Sequence, residues 1–208
     1  MLYQVNATGT IDPRIEMHYR FHQKIDPSQY PQVHDFYEIM LVTDGKMEME
    51  INHETELAGT GALFLIRPGD VHNRKAVGAC SYINLAFPAE VVEKMFRYLD
   101  IPEMKQRILG LPRPPRTKLT AGETLLLKAR LEKLNLLPLK QPHVICMELR
   151  RLMLDVMLQY FLPAFSSPVH MSCPGWLEKL AEKLEHPDYF SCSLEELASM
   201  SGCSREHL

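Results

Sequence analysis

The sequence predicts a mainly β protein with added α structure: an antiparallel β-sandwich or barrel first, then amphipathic helices. Three observations carry this. From about Tyr3 to Phe87, short apolar runs alternate with turn signals and no helical pattern intervenes. After Pro88 the apolar spacing changes to that of helices. The 208 residues are 46% hydrophobic, enough for one good core, or for a core plus a smaller module.

The strands come first. MLVTDGKMEMEIN gives two apolar runs around Asp44-Gly45, read as a glycine turn. In the second run Met47, Met49 and Ile51 alternate with Glu48 and Glu50, the period of a half-buried strand. ALFLIRPGD ends at Pro68-Gly69, where proline presets one position of a type II turn and glycine supplies the positive φ of the next. YINLAF, Tyr82 to Phe87, is a further strand. The methionines at 47, 49, 153 and 157 fall on apolar periodicities and read as core.

The helices follow. AEVVEKMFRYL is a short one, and the prolines of LPRPPR (Leu111 to Arg116) make a basic linker that forbids either regular element. LTAGETLLLKARLEKLN opens on a capping box of Thr120 with Glu123. From Pro142 to about Phe161, Leu149, Leu152, Met153, Val156, Met157 and Tyr160 form one apolar stripe. This pair either packs on the home barrel or pairs with a second copy of the chain. PGWLEKLAEKLEH is helical, with Trp176, Leu177, Leu180 and Leu184 on one side. In SCSLEELASMSGCSREHL, Ser193 caps a helix over Glu196 with Leu197 and Ala198 inward, Gly202 ends it, and Ser204 caps another. Helix, glycine turn, helix is the helix-turn-helix pattern.

Composition excludes several classes. No apolar run reaches the ~18 residues of a membrane span, and the N-terminus lacks the basic-then-apolar order of a signal peptide, so a cytoplasmic protein without membrane contact is expected. The five cysteines (Cys80, Cys146, Cys173, Cys192, Cys203) are odd in number and never in a CxxC pair, which suggests reduced thiols rather than disulfides or a zinc knuckle. A formal net charge of -3 gives no basic footprint for nucleic acid.

Three stretches, HDFYEIMLVTDG (His34 to Gly45), GALFLIRPGDVHN (Gly61 to Asn73) and SLEELASMSGCSREHL (Ser193 to Leu208), together resemble transcription regulators of the AraC type. Within that family the texture is most similar to the regulators of chitobiose and cellobiose (cel) operons, sometimes described as repressors. The resemblance implies a cupin-like antiparallel β-barrel (a double-stranded β-helix) over residues 1–115, with a short helix and a proline-rich linker. It implies a dimerising helix pair over 116–165 and a partial DNA-binding domain over 173–208. Ser204, Arg205 and His207 would be the groove-facing residues. From Cys173 onward three Lys/Arg (Lys179, Lys183, Arg205) face seven Asp/Glu, and the second helix-turn-helix unit is absent. The expectation is that the full-length protein binds operator DNA and that these 208 residues alone do not.

The cupin pattern also maps a metal-ligand set onto Gln32, His34, Glu38 and His72. Strand geometry agrees, because alternate residues share a face, placing His34, Phe36, Glu38, Met40 and Val42 together toward the barrel interior. His72 enters beyond Pro68-Gly69. Three readings fit. The set holds a divalent transition metal (zinc, nickel, iron or manganese), with Gln32 the weak donor. Alternatively Gln32, His34, Glu38 and His72 hydrogen-bond sugar hydroxyls while Phe36, Tyr37 or Tyr82 stacks on a ring. Or His34 and Glu38 satisfy each other and bind nothing. Arg67 either meets an anionic ligand or is solvated at its turn. Asn84 faces inward or outward equally well, and His18 and His22 read as surface or strand residues.

The expected function is a ligand-responsive regulator of a sugar-utilisation operon, sensing a β-linked disaccharide such as chitobiose or cellobiose, or its phosphate, as a homodimer, with no catalytic residues. The runner-up is a metal-dependent cupin enzyme, an oxygenase or sugar isomerase. A third reading is a dimerising, sugar-sensing module alone.

Overall fold

The computed structural model describes residues 2–24, 30–100, 102–162, 180 and 193–202. The chain divides into two compact units, Met1–Phe165 and Ser166–Leu208. Among the described residues no helix is long and apolar enough to cross a membrane.

In the first unit, β1 (Tyr3–Val5), α1 (Ala7–Thr10), β2 (His18–His22) and β3 (Gln32–His34) precede the main sheet. Then come β4 (Tyr37–Ile51), β5 (Glu54–Gly59), β6 (Ala62–Ile66) and β7 (His72–Phe87). β4 and β7 pair antiparallel along nearly their whole length, from Tyr37↔Phe87 to Ile51↔His72. β2 and β6 flank the half of this pair that holds Glu38 and Asn84, while β5 flanks β4, and β3 touches β7, on the other half. β1 adds to β3 in parallel.

The two halves fold over one another. Met40, Val42, Phe64, Ile66 and Tyr82 from one half form a single buried cluster with Met47, Met49, Ile51 and Ala58 from the other. This is the cupin-like antiparallel barrel expected, with β4 and β7 shared by both halves. Glu48 and Glu50 lie on the face turned away from this cluster, as their alternation predicts.

Gly45 does not turn the chain as expected. It sits inside continuous β4, at φ +75°, where the register with β7 slips between Val42 and Met47. The slip comes in two steps, between Val42 and Asp44 and between Gly45 and Met47, and bulges of this kind bend a strand without ending it. The hairpin lies farther on at Asn52-His53, both with positive φ (49° and 71°), as a primed two-residue turn requires. The strand expected as one piece through His34 and Glu38 is interrupted at 35–36, so β3 and β4 are separate elements.

The other face of the Glu38–Asn84 half is also buried. Tyr37, Ile39, Leu41, Leu63, Leu65, Ile83, Leu85 and Phe87 share a core with side chains of α2 (Ala89–Leu99), α4 (Ala121–Asn135) and α5 (Pro142–Val156). Burial on both sides explains why ALFLI and YINLAF read as unbroken runs. α4 starts on the predicted capping box: Glu123 N–H donates to Thr120 Oγ1 (3.3 Å), and Thr120 N–H donates to Glu123 Oε2 (2.8 Å).

Two details between α2 and α5 differ from expectation. α3 (Pro102–Gly110) was not legible, and the proline linker ends in a short strand, β8 (Arg116–Lys118), paired with β6. Prolines are tolerated there because this is the sheet edge. Beyond α5 the chain makes a π-helical turn, Met157–Phe161. Its wider winding carries Phe161 into the core and leaves Tyr160, the predicted last member of the stripe, partly exposed.

In the second unit, α6 (Leu194–Ser201) begins on a complete capping box of Ser193 with Glu196 and ends at Gly202, φ +68°. Leu197 and Ala198 are half-buried, and Leu180 is helical and buried. The readings on Trp176, Leu177, Leu184, Ser204, Arg205 and His207 lie outside the described residues.

Two glycines separate shape from clash. A Cβ on Gly45 would overlap the Ala79 carbonyl oxygen, whereas one on Gly69 (φ +87°) meets nothing within 4 Å. Gly45→Ala is therefore expected to destabilise by several kcal/mol, because clash adds to backbone strain, and Gly69→Ala by only ~1–2 kcal/mol. Urea denaturation of both variants checks this, and equal losses would contradict it.

Candidate functional site

The end of β3, the start of β4 and the start of β7 bring His34, Glu38 and His72 together. Glu38 Oε2 lies 3.8 Å from His34 Nε2 and 3.7 Å from His72 Nε2, and all three side chains are at least nine-tenths buried. The imidazoles meet edge to face, with centroids 5.1 Å apart. Each ring has its far nitrogen on a backbone carbonyl: His34 Nδ1 donates to Phe36 O (2.7 Å) and His72 Nδ1 contacts Asp70 O (3.4 Å). A carbonyl only accepts, so Nδ1 carries a proton in each ring, and in the neutral imidazole it is Nε2 that presents a lone pair. His34 Nε2 and Glu38 Oε2 then have no hydrogen-bond partner among the described residues. Three electron-pair donors face each other, within 4.8 Å of one another, with no proton donor between.

Burial shapes their ionisation. Burial pushes the Glu38 carboxyl up, but His34, the Arg74 guanidinium and His72 pull it further down, to about 2. His72 is lowered to about 4, chiefly by burial, against the attraction of Glu38. An ionised carboxylate beside a neutral imidazole is the protonation state that metal coordination needs.

The triad opens into a cavity of about 250 Å³, lined also by His18, Arg20 and His22 of β2, Gln32, Arg74 and Asn84. A larger groove among the described residues lies between α4 and α5, at Arg130, Leu137 and Arg151, and contains no comparable convergence of buried polar groups.

A family model described as the AraC-like ligand binding domain matches residues 19–134, more than half of the chain. The chain belongs to this family. Solved structures with similar folds include apo ToxT from Vibrio cholerae, at 8% identity and TM-score 0.49, covering 96% of this chain and 74% of that one. The AraC-like transcriptional activator CuxR is 14% identical, with TM-score 0.40, covering 92% and 65%. An ethanolamine utilisation protein Q from Salmonella typhimurium is 24% identical, with TM-score 0.32; the match covers 36% of this chain and 59% of that one. Comparison with curated protein sequences gives no match.

Within this AraC-like domain, the other predicted site residues fall differently. Gln32 lines the cavity, but its Oε1 accepts from Arg74 Nη2 (3.3 Å), so an arginine engages the amide oxygen expected for a metal. Asn84 is buried and faces the cavity, with Oδ1 unpartnered among the described residues.

Arg67 is neither a ligand contact nor solvated. It is buried, holds Asp70 through Nε and Nη2 (both 2.9 Å), and gives Nη1 to the carbonyls of Ile108, Leu109 and Leu111. These carbonyls end α3, where a cation is favourable and the last acceptors need donors. Asp70 also accepts from Asn52 Nδ2 (2.8 Å), and the Gly69 N–H donates to His34 O (2.9 Å). The RPGDVH turn is thus the knot that sets both histidines.

Sequence reading passed over Arg20 and Arg74; His18 and His22, read as surface or strand residues, lie on β2 and also line the cavity. The signal was present: residues 18, 20 and 22 alternate with Tyr19 and Phe21, and Arg74 follows His72 by two. Period two puts each set on one face.

Two outcomes follow for the AraC-like domain. Asp70→Ala leaves the buried Arg67 guanidinium uncompensated and is expected to cost ~3–5 kcal/mol in urea melts; a loss below 1 kcal/mol would contradict the knot. In the metal-free protein, His72 titrates near 4 when folded, below its ordinary 6.5. Between these values the unfolded chain binds a proton that the folded chain does not, so stability falls as pH drops through this window, by roughly 3 kcal/mol in all. Glu38, lowered to about 2, acts in the same direction: its contribution is present above its unfolded pKa and is lost on further acidification. Melts in chelator from pH 7 to 4 should show this slope, and His72→Asn should flatten it.

Proposed function

We propose that this chain is the ligand-sensing part of a cytoplasmic transcription regulator, and that the barrel cavity binds a small polar ligand beside a divalent transition metal. The observation that carries this reading is the convergence of His34, Glu38 and His72 as unprotonated donors on the cavity floor of an AraC-like ligand-binding domain. Two imidazoles and one carboxylate suit zinc, nickel, iron or manganese. Two donors each about 2.1 Å from a tetrahedral zinc stand about 3.4 Å apart, so the 3.7 and 3.8 Å separations from Glu38 to the two imidazoles would close by a few tenths of an ångström on zinc and by more on an octahedral metal. A metal there would supply a Lewis-acid anchor for a ligand oxygen.

The ligand in this reading is a sugar or sugar phosphate, with a β-linked disaccharide such as chitobiose or cellobiose placing one ring in the cavity. The chain acts as a homodimer through α4 and α5, whose outward residues Leu125, Leu126 and Met147 are exposed, as is Leu158 in the π-helical turn that follows. α6, with its capping box and Gly202, is the first helix of the helix-turn-helix that presents operator DNA contacts in the full-length protein. The triad geometry also fits a metal-dependent cupin enzyme. Turnover of a sugar or uptake of oxygen by the metal-loaded chain would favour that second reading.

Thermal melts of the whole chain with zinc, nickel or manganese, with chelator, and with each disaccharide and its 6-phosphate test the proposal. Metal at a hundredfold its dissociation constant should stabilise by about 2.7 kcal/mol. His34→Ala and Glu38→Gln should abolish that response. A melt indifferent to metal, chelator and sugar alike would sink the reading.

A further inference from the structure

The cavity wall carries charge that the triad does not use. Arg20 from β2 and Arg74 from β7 line it together, and Glu38 is the only carboxylate among the lining residues described. Arg74 contacts uncharged groups: Gln32 Oε1 at 3.3 Å, the Met40 sulfur at 4.0 Å and the Tyr82 ring at 5.4 Å. Arg20 has no hydrogen bond or ion pair with the described residues. Directly across the β2–β7 pair from Arg20 stands Asn84, buried, with its amide oxygen unpartnered. The exposed Arg20 and the half-buried Arg74 share one nearby carboxylate, Glu38, and beside a buried amide with spare capacity they form a wall for an oxyanion. One carboxylate cannot neutralise both, and a cation on the triad would raise the excess further.

Resting on the reading of the barrel as a ligand sensor, we infer that the part of the ligand seated in the cavity is an acid of single-sugar size: a group bearing a carboxylate or phosphate that Arg20 and Arg74 hold, with Asn84 bonding a neighbouring hydroxyl. Volume supports the size. A cavity of about 250 Å³ has room for one sugar ring, and a second ring would stand at its open mouth. A carboxylate and a phosphate offer arginine the same paired oxygens, so both chemistries fit the wall.

The test is a titration of the whole chain, zinc-loaded, by calorimetry and thermal melt. The probes are galacturonate against galactose, glucose 6-phosphate against glucose, and inorganic phosphate alone. The expected result is that an acid binds and its neutral parent does not, with affinity falling as salt rises. The carboxylate and phosphate arms tell the two sources apart. Arg20→Gln should weaken the acid by at least about tenfold, and Arg20→Lys should restore part of the loss. A cooperative melt of the ligand-free variant shows that it folds. Equal binding of acid and neutral parent, or an acid affinity unmoved by Arg20→Gln, overturns the inference while leaving the sensor reading intact. Zinc stabilisation without a response to any acid also overturns it, and the metal site then stands alone.

Discussion

The antiparallel pairing of β4 with β7 is the constraint on which the rest of the first unit depends. Each strand contributes to both halves of the barrel, so one register fixes both. That register sets Glu38 against Ala86 and Met40 against Asn84 on one half, and Ile51 against His72 on the other. A one-residue slip would turn Glu38 and Asn84 out of the cavity and Ile39 and Leu41 into it. The bulge at Gly45 lets strands of this length bend, and the close approach of Ala79 and Cys80 leaves no room there for a side chain.

The site uses that frame to place groups that repel one another. Three buried lone pairs facing one another are unfavourable by themselves, and the backbone carbonyls of Phe36 and Asp70 keep a proton of each imidazole on the far side. The holding elements are in turn fixed by Asp70, which engages Arg67 and Asn52 at once. Stability and function therefore meet in the same six-residue turn. Arg67 ties the turn to the end of α3, while His72 faces the cavity.

The cavity is also joined to the helices by short covalent and ionic steps. β2 carries His18, Arg20 and His22 on the cavity wall and runs back into a loop whose Glu16 pairs with Arg150 of α5 (2.7 Å). Ile15 and Met17 of that loop lie in the core shared with α4 and α5. A ligand that draws β2 inward acts on that loop, and differential contacts of this kind are what a two-state response requires.

Much of the fold was legible because local rules decide it. Alternation in KMEMEIN, the proline-glycine turn at 68–69, and the capping boxes at Thr120 and Ser193 each depend on neighbours in sequence, and each is found in place. The approach of His34, Glu38 and His72 could be anticipated from strand period together with the family pattern. Other features are decided by groups far apart in the chain. Whether Gly45 turns or bulges depends on the length of β7, which pairs past it. Arg67 is a structural tie because the end of α3 comes to it across some forty residues. The cavity's basic wall exists because β2 adds to the edge of β7 and sets Arg20 opposite Asn84. Sequence alone determined which residues could share a face, since that follows from backbone period; only tertiary structure decided which faces met, because strand pairing and burial are properties of distant segments.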